Sequence, residues 1–252
     1  MRAWAKALPW AFVALLILTW QMAISHQPAA ILPTPWAVVL GIQELAVKGL
    51  LLKYVVASLF RVTWGYVLAA VLAIPFGLFL GWHRRGQVAL NPLLQILRPI
   101  SALAWIPLAI LWFGVGDLAS IFLIFLASFL PITVTAMNAV GSISSNHLNV
   151  GRNFGLSETQ LVLKVLFPAV MPQLVVSLRI ALGIAWLVVV AAEMIAATSG
   201  LGFLIVDARN AGNRYDLVVA GMVLIGLIGL LLDIMMRKLE HLSFLRWAHR
   251  EE

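Results

Sequence analysis

Glu193 and Asp233 are the acids, and Arg98 and Arg179 the bases, that fall inside long apolar runs of this chain. Three kinds of chemistry are open to such groups. Two carboxylates that face each other can share acid–base work, but these two fall at opposite membrane faces and cannot meet. A nucleophile beside a base can carry covalent chemistry, yet there is no G-x-S-x-G and no H-E-x-x-H. The third is passage or binding. An ionisable side chain in an apolar segment is expensive to keep, so each one either lines a path or is held by a partner inside the protein. No G-x-x-x-x-G-K-[ST] is present to cradle nucleotide phosphates. The histidines, at 26, 83, 147, 241 and 249, show no ligand spacing, and without cysteine there is neither a thiolate metal site nor a disulfide framework. No catalytic residue and no metal site is assigned.

Arg179 and Glu193 are fourteen residues apart. That is close to four helical turns, which puts them on one face but about 21 Å from each other. They cannot pair, so each needs its own partner and their common face must look into protein. Arg179 can attract an anion or hold a neighbouring helix. Glu193 would repel an anion, so it serves as a hydrogen-bonded structural group or as part of a gate. Arg98, next to Pro99 and Ser101, lines a path or snorkels to the membrane surface. Trp105 and Trp186 also lie within apolar segments, as path residues or as core. The path set is therefore Arg98, Ser101, Trp105, Arg179, Trp186 and Glu193. Asp233 and Arg237 form an architectural i,i+4 pair, and Gly77 with Gly81 offers close helix packing.

These groups need an apolar body around them. Of 252 residues, 63% are hydrophobic and 11% charged, and the mean hydropathy is +1.02. A soluble domain carries roughly 25% charged residues, so the chain reads as membrane-embedded: one all-α, polytopic domain over residues 1–252. Six segments approach the about 20 apolar residues that a spanning helix needs: 8–24, 55–82, 93–113, 118–140, 169–197 and 217–236. The third, interrupted by Arg98, Pro99 and Pro107, is expected to be bent or broken. ILPTPWAVV, with prolines at 33 and 35, reads as an extended or turn segment near the outer surface. The first segment reads as a retained helix. A secretory signal is the alternative, but no small-residue cleavage site follows Ile24.

The net charge of +7 is explained by where it sits rather than by a nucleic-acid partner. With the N-terminus inside, ten basic residues are cytoplasmic (2, 6, 84, 85, 152, 164, 237, 238, 246, 250) and five are outer (48, 53, 61, 209, 214). This asymmetry places both termini in the cytoplasm.

One polar stretch, HLNVGRNFGLSETQLVLKVLFPAVMP from His147 to Pro172, separates the fourth and fifth segments. Ser157-Glu158-Thr159-Gln160 is a capping-box sequence and predicts a helix from there to about Phe167, ended or disturbed by Pro168. Gly155 sits where a short helix through His147–Phe154 needs a left-handed residue. A stiff helix-turn-helix suits docking to another protein. A connector lying on lipid is the other reading.

This stretch resembles the cytoplasmic loop of bacterial ABC-transporter permeases, with its E-A-A, three residues, Gly, nine residues, I-x-L-P. Pro168 falls thirteen residues after Gly155, as that pattern has it, with Val165 and Phe167 at the I and L positions. Asn149, Val150 and Gly151 stand at E-A-A, which is a departure. RPISALAWIPLAILWFG (98–114) and LRIALGIAWLVVVAAEMIAATSGLGFLI (178–205) are similar to permeases of the nitrate/sulfonate/taurine/bicarbonate import group. The resemblance, over about residues 31–242, implies the six-helix fold of type I importers, in a bacterial inner membrane. It implies a second permease copy, no cofactor bound by this chain, two ATPase subunits that bind ATP and Mg, and an external binding protein that delivers a small oxyanion. It also implies that loop 141–168 couples to the ATPase through Asn149, Val150, Gly151, Phe154, Gly155, Ser157, Val165 and Pro168. A secondary transporter or channel acting without an ATPase is the alternative.

Overall fold

The computed structural model describes residues 3–24 and 32–240, and every regular element among them is helical. The first segment forms α1 (Ala3–Ile24), which meets the rest of the molecule chiefly at α2 (Pro35–Val47). The expectation of an irregular 31–39 segment is corrected by α2. Thr34 is its N-cap, accepting from the Ala37 amide at 3.2 Å, and Pro35 opens the helix. Proline suits that position, since its missing N–H would have had no intrahelical partner there.

The body is three long helices: α3 (Leu50–Trp82), α6 (Asp117–Gly141) and α9 (Phe167–Ala196). On α3, Gly65, Ala69, Ala73, Gly77 and Gly81 recur every fourth residue, so small side chains line one stripe. α6 presses against that stripe. A Cβ added at Gly77 would stand 2.5 Å from the Thr133 carbonyl, and one at Gly81 2.6 Å from Val140 Cβ. Where lipid is as apolar as leucine, such close backbone approach is what holds helices together. α9 covers the other side of α6 through Val189, Ala192 and Ala196. α11 (Tyr215–Glu240) packs on α2, α9 and the short α10 (Leu201–Asn210). The outward faces of α3, α9 and α11 expose Val, Leu, Ile and Phe, the surface that a helix shows to hydrocarbon chains.

Among the described residues, four helices are long and apolar enough to cross a membrane: α3, α6, α11 and the run 158–196 that contains α9. The expected third span is bent, through 83°, between α4 (Arg84–Leu97) and a 3₁₀ turn (Ala102–Trp105) that leads into α5 (Ile106–Phe113). Counted as one, it makes a fifth. The expected end of a helix before Pro168 is not found. α8 (Glu158–Leu161) passes through a π turn (Val162–Leu166) straight into α9. The widened turn carries the Phe167 amide to the Val162 carbonyl, five residues back, and so opens the ladder just where the proline has no N–H to give. Arg61, expected in an outer connection, is instead inside α3 and 1% exposed.

Candidate functional site

Three places in this frame hold the side chains that matter. The first is the loop between α6 and α9. α7 (Ser145–Asn153) closes in a Schellman motif: Leu156 donates its amide to the Gly151 carbonyl at 3.2 Å and Gly155 donates to Arg152 at 2.9 Å. Gly155 has φ +75°, the left-handed geometry anticipated for it. The capping box is complete, with the Gln160 amide donating to Ser157 Oγ and the Ser157 amide to Gln160 Oε1. Inside the turn, Gly151 is buried against Leu161, with Leu156 and Val165 beside it. A glycine at this position lets α7 settle on α8. With the interior thus filled, Val150 and Phe154 face outward, 53% and 83% exposed. Asn149 lies on the same exposed helix, and Pro168 opens α9. Arg152 Nε donates to Glu158 at 3.3 Å across the turn. A stiff, doubly capped loop thus holds an aromatic ring in the open.

The second place is a cavity of about 590 Å³ in the elbow of the bent pair. Arg98 and Ser101 come from the bend, Trp105 from the 3₁₀ turn, Phe125 and Phe129 from α6, and Ile184 and Val188 from α9. Phe129 is midway along α6, twelve residues from Asp117 and twelve from Gly141, so the cavity reaches the middle of that helix.

The third is an ion network where α3, α6, α9 and α10 converge. Arg61 Nη1 donates to Glu193 Oε1 at 2.7 Å and to the Ser199 carbonyl at 2.6 Å. Its Nε reaches Asp117 at 2.8 Å and its Nη2 reaches Ser199 Oγ at 2.7 Å. Ser58 Oγ and the Gly202 amide each donate to Glu193 Oε2 at 2.9 Å, and the Leu201 amide donates to Ser58 Oγ. Glu193 is 0% exposed. Gly200, at φ +111°, has Glu193's carboxyl where a Cβ would go, so the Thr198-Ser199-Gly200-Leu201-Gly202 run is shaped around that acid.

The six path residues therefore separate. Arg98, Ser101 and Trp105 share the large cavity. Arg179 and Trp186 line a small pocket between α9 and α11. There Arg179 is tied to Asp233 at 2.7 Å and Glu240 at 3.2 Å, and Trp186 donates its indole N–H to the Ile225 carbonyl at 3.1 Å. Both are held by partners on α11. Glu193, placed in the path set by the sequence, is enclosed in the Arg61 network and does not line the large cavity. As expected, it does not pair with Arg179. Sequence reasoning missed Arg61, Asp117, Ser58 and Ser199. One signal was available: a buried acid needs a base from another span, and Arg61 is embedded in the apolar run of α3.

Residues 73–242 match the family described as binding-protein-dependent transport system inner membrane component. The chain belongs to that family. It is 34% identical over 251 residues to a putative aliphatic sulfonates transport permease protein, SsuC, of Bacillus subtilis, across 99% of this chain and 90% of that one. It is 39% identical over 179 residues to the nitrate import permease protein NrtB of Leptolyngbya laminosa, across 71% of this chain and 64% of that one. The fold is similar to that of the MetNI methionine ABC transporter in an inward-facing form, with a TM-score of 0.67 and 21% identity over 77% of this chain and 96% of that one. The chain is thus an ABC-importer permease, a multi-pass protein of the inner membrane. Its family is one of transport, not of enzymes, and implies ATPase and solute-binding partners.

The permease carries one further polar cluster, at the start of α11. Arg214, in the turn between α10 and α11, bonds Glu44 of α2 at 2.6 Å and Asp216 at 2.7 Å, while Lys48 reaches Glu44 at 2.6 Å. Arg214, and behind it Lys48, hold the Glu44 carboxyl down to about 2. The carboxylates of Asp216 and Glu44 in turn raise the Arg214 guanidinium. This cluster ties α2 to the turn before α11.

Proposed function

We propose that the chain forms half of the translocation path for a small oxyanion: nitrate, bicarbonate, taurine or another sulfonate. Two copies pair, two ATPase subunits bind ATP and Mg and dock on residues 141–168, and an external binding protein delivers the solute. Both termini are cytoplasmic. With Arg61 buried inside α3, the basic residues divide ten inside to four outside, which supports that orientation.

The observation that carries the reading is the loop. A connector needs no Schellman motif, capping box and π turn in succession, and Phe154 exposed at 83% on so stiff a support is suited to a pocket in a partner. Alternating access follows in outline. The capped turn at 155–157 joins Phe154 to the continuous run 158–196, so a movement imposed on Phe154 is carried through that turn into α9, and α9 forms a wall of the cavity. A channel or secondary transporter acting by itself has no use for this device.

The test is Phe154→Asp in the co-expressed complex. A buried charge in the docking pocket is expected to lower ATPase recovery with the permease at least tenfold and to abolish ATP-dependent uptake, while the permease still inserts. Full recovery of the ATPase with this variant would overturn docking through Phe154.

A further inference from the structure

Arg98 has the charge to be anchored and is not. Its backbone amide bonds Leu94 within α4, but no acceptor within hydrogen-bond distance takes a guanidinium proton. Ser101 Oγ accepts from the Leu103 amide at 3.3 Å and its own proton is uncommitted, as is the indole N–H of Trp105. The residues lining the cavity include no carboxylate. Every other wall is apolar, and Phe125 and Phe129 stack at 5.2 Å between centroids.

The free donors thus lie at one end of an otherwise greasy chamber. Those two properties select one kind of ligand. A bare inorganic oxyanion such as nitrate or bicarbonate must exchange its whole hydration shell for donors on several sides, and here most of its surface would face hydrocarbon. An anion with a charged head and a short apolar body fits both halves. Its head takes charge-assisted hydrogen bonds from Arg98 and from the neighbouring hydroxyl and indole, and its body leaves water for the phenylalanine wall. The chamber lies at the break of the bent pair and reaches Phe129, halfway along α6, and the backbone interruption of a discontinuous helix is tolerated where it lines a cavity.

We propose that this cavity is a solute-binding site of the permease itself, with Arg98, Ser101 and Trp105 as head-group ligands, and that it favours organic monoanions of the alkylsulfonate type over inorganic oxyanions. The proposal rests on the import reading above and adds a selectivity step after the binding protein has released its cargo.

The experiment uses the permease–ATPase complex in lipid nanodiscs without the binding protein, and radiolabelled butane-1-sulfonate as probe, with empty nanodiscs as background. Saturable binding is expected. Unlabelled ethane-, butane- and hexane-1-sulfonate should displace the probe with affinity rising about threefold to fourfold per methylene, while nitrate and bicarbonate at equal concentration leave it bound. Arg98→Gln should lower affinity at least tenfold, Arg98→Lys should retain part of it, and Trp105→Phe should cost a few-fold. Arg84→Gln, on α4 but outside the cavity, should change nothing. Gel filtration with the ATPase reports assembly of each variant, and the chain-length series needs no variant at all.

Displacement by nitrate as strong as by butanesulfonate would overturn the selectivity. Undiminished binding in assembled Arg98→Gln would overturn the site. Absence of saturable binding, in a wild-type complex that still takes up solute with ATP and binding protein, sinks the site and leaves the import reading standing. Absence of ATP-dependent uptake of any of these anions by the full wild-type system sinks the import reading, and the site's role with it.

Discussion

Arg61 and Arg98 are both guanidinium groups set among apolar helices, and the molecule treats them in opposite ways. Arg61 is 1% exposed, and Asp117, Glu193 and Ser199 take up its donors. Arg98 lines an open cavity with no side-chain acceptor in reach. A buried cation with every donor committed specifies how four helices meet, and it can offer nothing to a solute. A cation left uncommitted contributes little to the fold and keeps its hydrogen bonds for something that arrives. Burial and donor use change together here: Arg61 is enclosed with its donors taken, and Arg98 is exposed with its donors free.

The largest expected effect breaks the first half of that comparison. Glu193→Ala leaves Arg61 buried with only the half-exposed Asp117 to balance it, and orphans Ser58 Oγ and the Gly202 amide. Loss of one member of a buried pair costs about 3–5 kcal/mol, seen as a fall in the denaturation midpoint of the detergent-solubilised permease. Arg98→Gln should stay within about 0.5 kcal/mol of wild type in the same assay. The double change Arg61→Met with Glu193→Gln should lose less than its two single changes together, because it removes both charges. Equal losses from Arg98→Gln and Glu193→Ala would erase the distinction.

Much of the frame was legible beforehand, for local reasons. Ser157 and Gln160 cap a helix by contacts three residues apart, and the left-handed turn at Gly155 is set by its neighbours, so both could be read along the chain. The interruption of the third span was visible in Pro99 and Pro107. Four of the six long apolar runs coincide with long helices to within a few residues at either end, although α3 and α11 extend further than their apolar cores. What could not be read is non-local. Glu193 and Arg61 are 132 residues apart, and Arg61 was counted as an outer loop charge because nothing adjacent revealed its partner. Thr34-Pro35 was read as a break when it is a helix start. Pro168 was read as disturbing or ending the helix, and the structure shows the disturbance, a π turn, without the end. Each of those depends on what the backbone does with a proline's missing donor. The cavity needed three separate segments to converge, and only its Arg98, Ser101 and Trp105 side came from one stretch.

Two glycines sharpen the same contrast between enclosed and open sites. Gly200 and Gly155 both have positive φ, +111° and +75°. At Gly200 a Cβ would enter the Glu193 carboxyl, while at Gly155 nothing lies within 4 Å. Gly200→Ala therefore combines backbone strain with overpacking of the Arg61 network, for a loss of about 2–4 kcal/mol. Gly155→Ala meets only the strain, about 1–2 kcal/mol, confined to the loop. The readouts should also diverge. Gly200→Ala is expected to lower the unfolding midpoint of the whole permease, whereas Gly155→Ala should weaken recovery of the ATPase with little change in that midpoint. A global loss of stability from Gly155→Ala would mean that the loop serves the fold rather than the partner.

The smallest effect belongs to a third arginine, Arg214, whose donors are committed like those of Arg61 but in water. Glu44, held to about 2 from an ordinary 4.5 by Arg214 and then Lys48, has a lowered folded-state value, so the sign is fixed. Its contribution is fully present above about pH 4.5 and is lost as pH falls towards 2. Thermal midpoints of wild type and Glu44→Gln, taken between pH 6 and pH 2.5, should differ by a constant amount at the upper end and converge at the lower. Because Arg214 and Glu44 side chains are 42% and 30% exposed, the gap should be small and should narrow further in 1 M salt. The corresponding gap for Glu193→Ala should survive the salt, since no counterion reaches a group that is 0% exposed. If salt closes both gaps alike, enclosure is not what makes Arg61 different, and the contrast with Arg98 has to be drawn on other grounds.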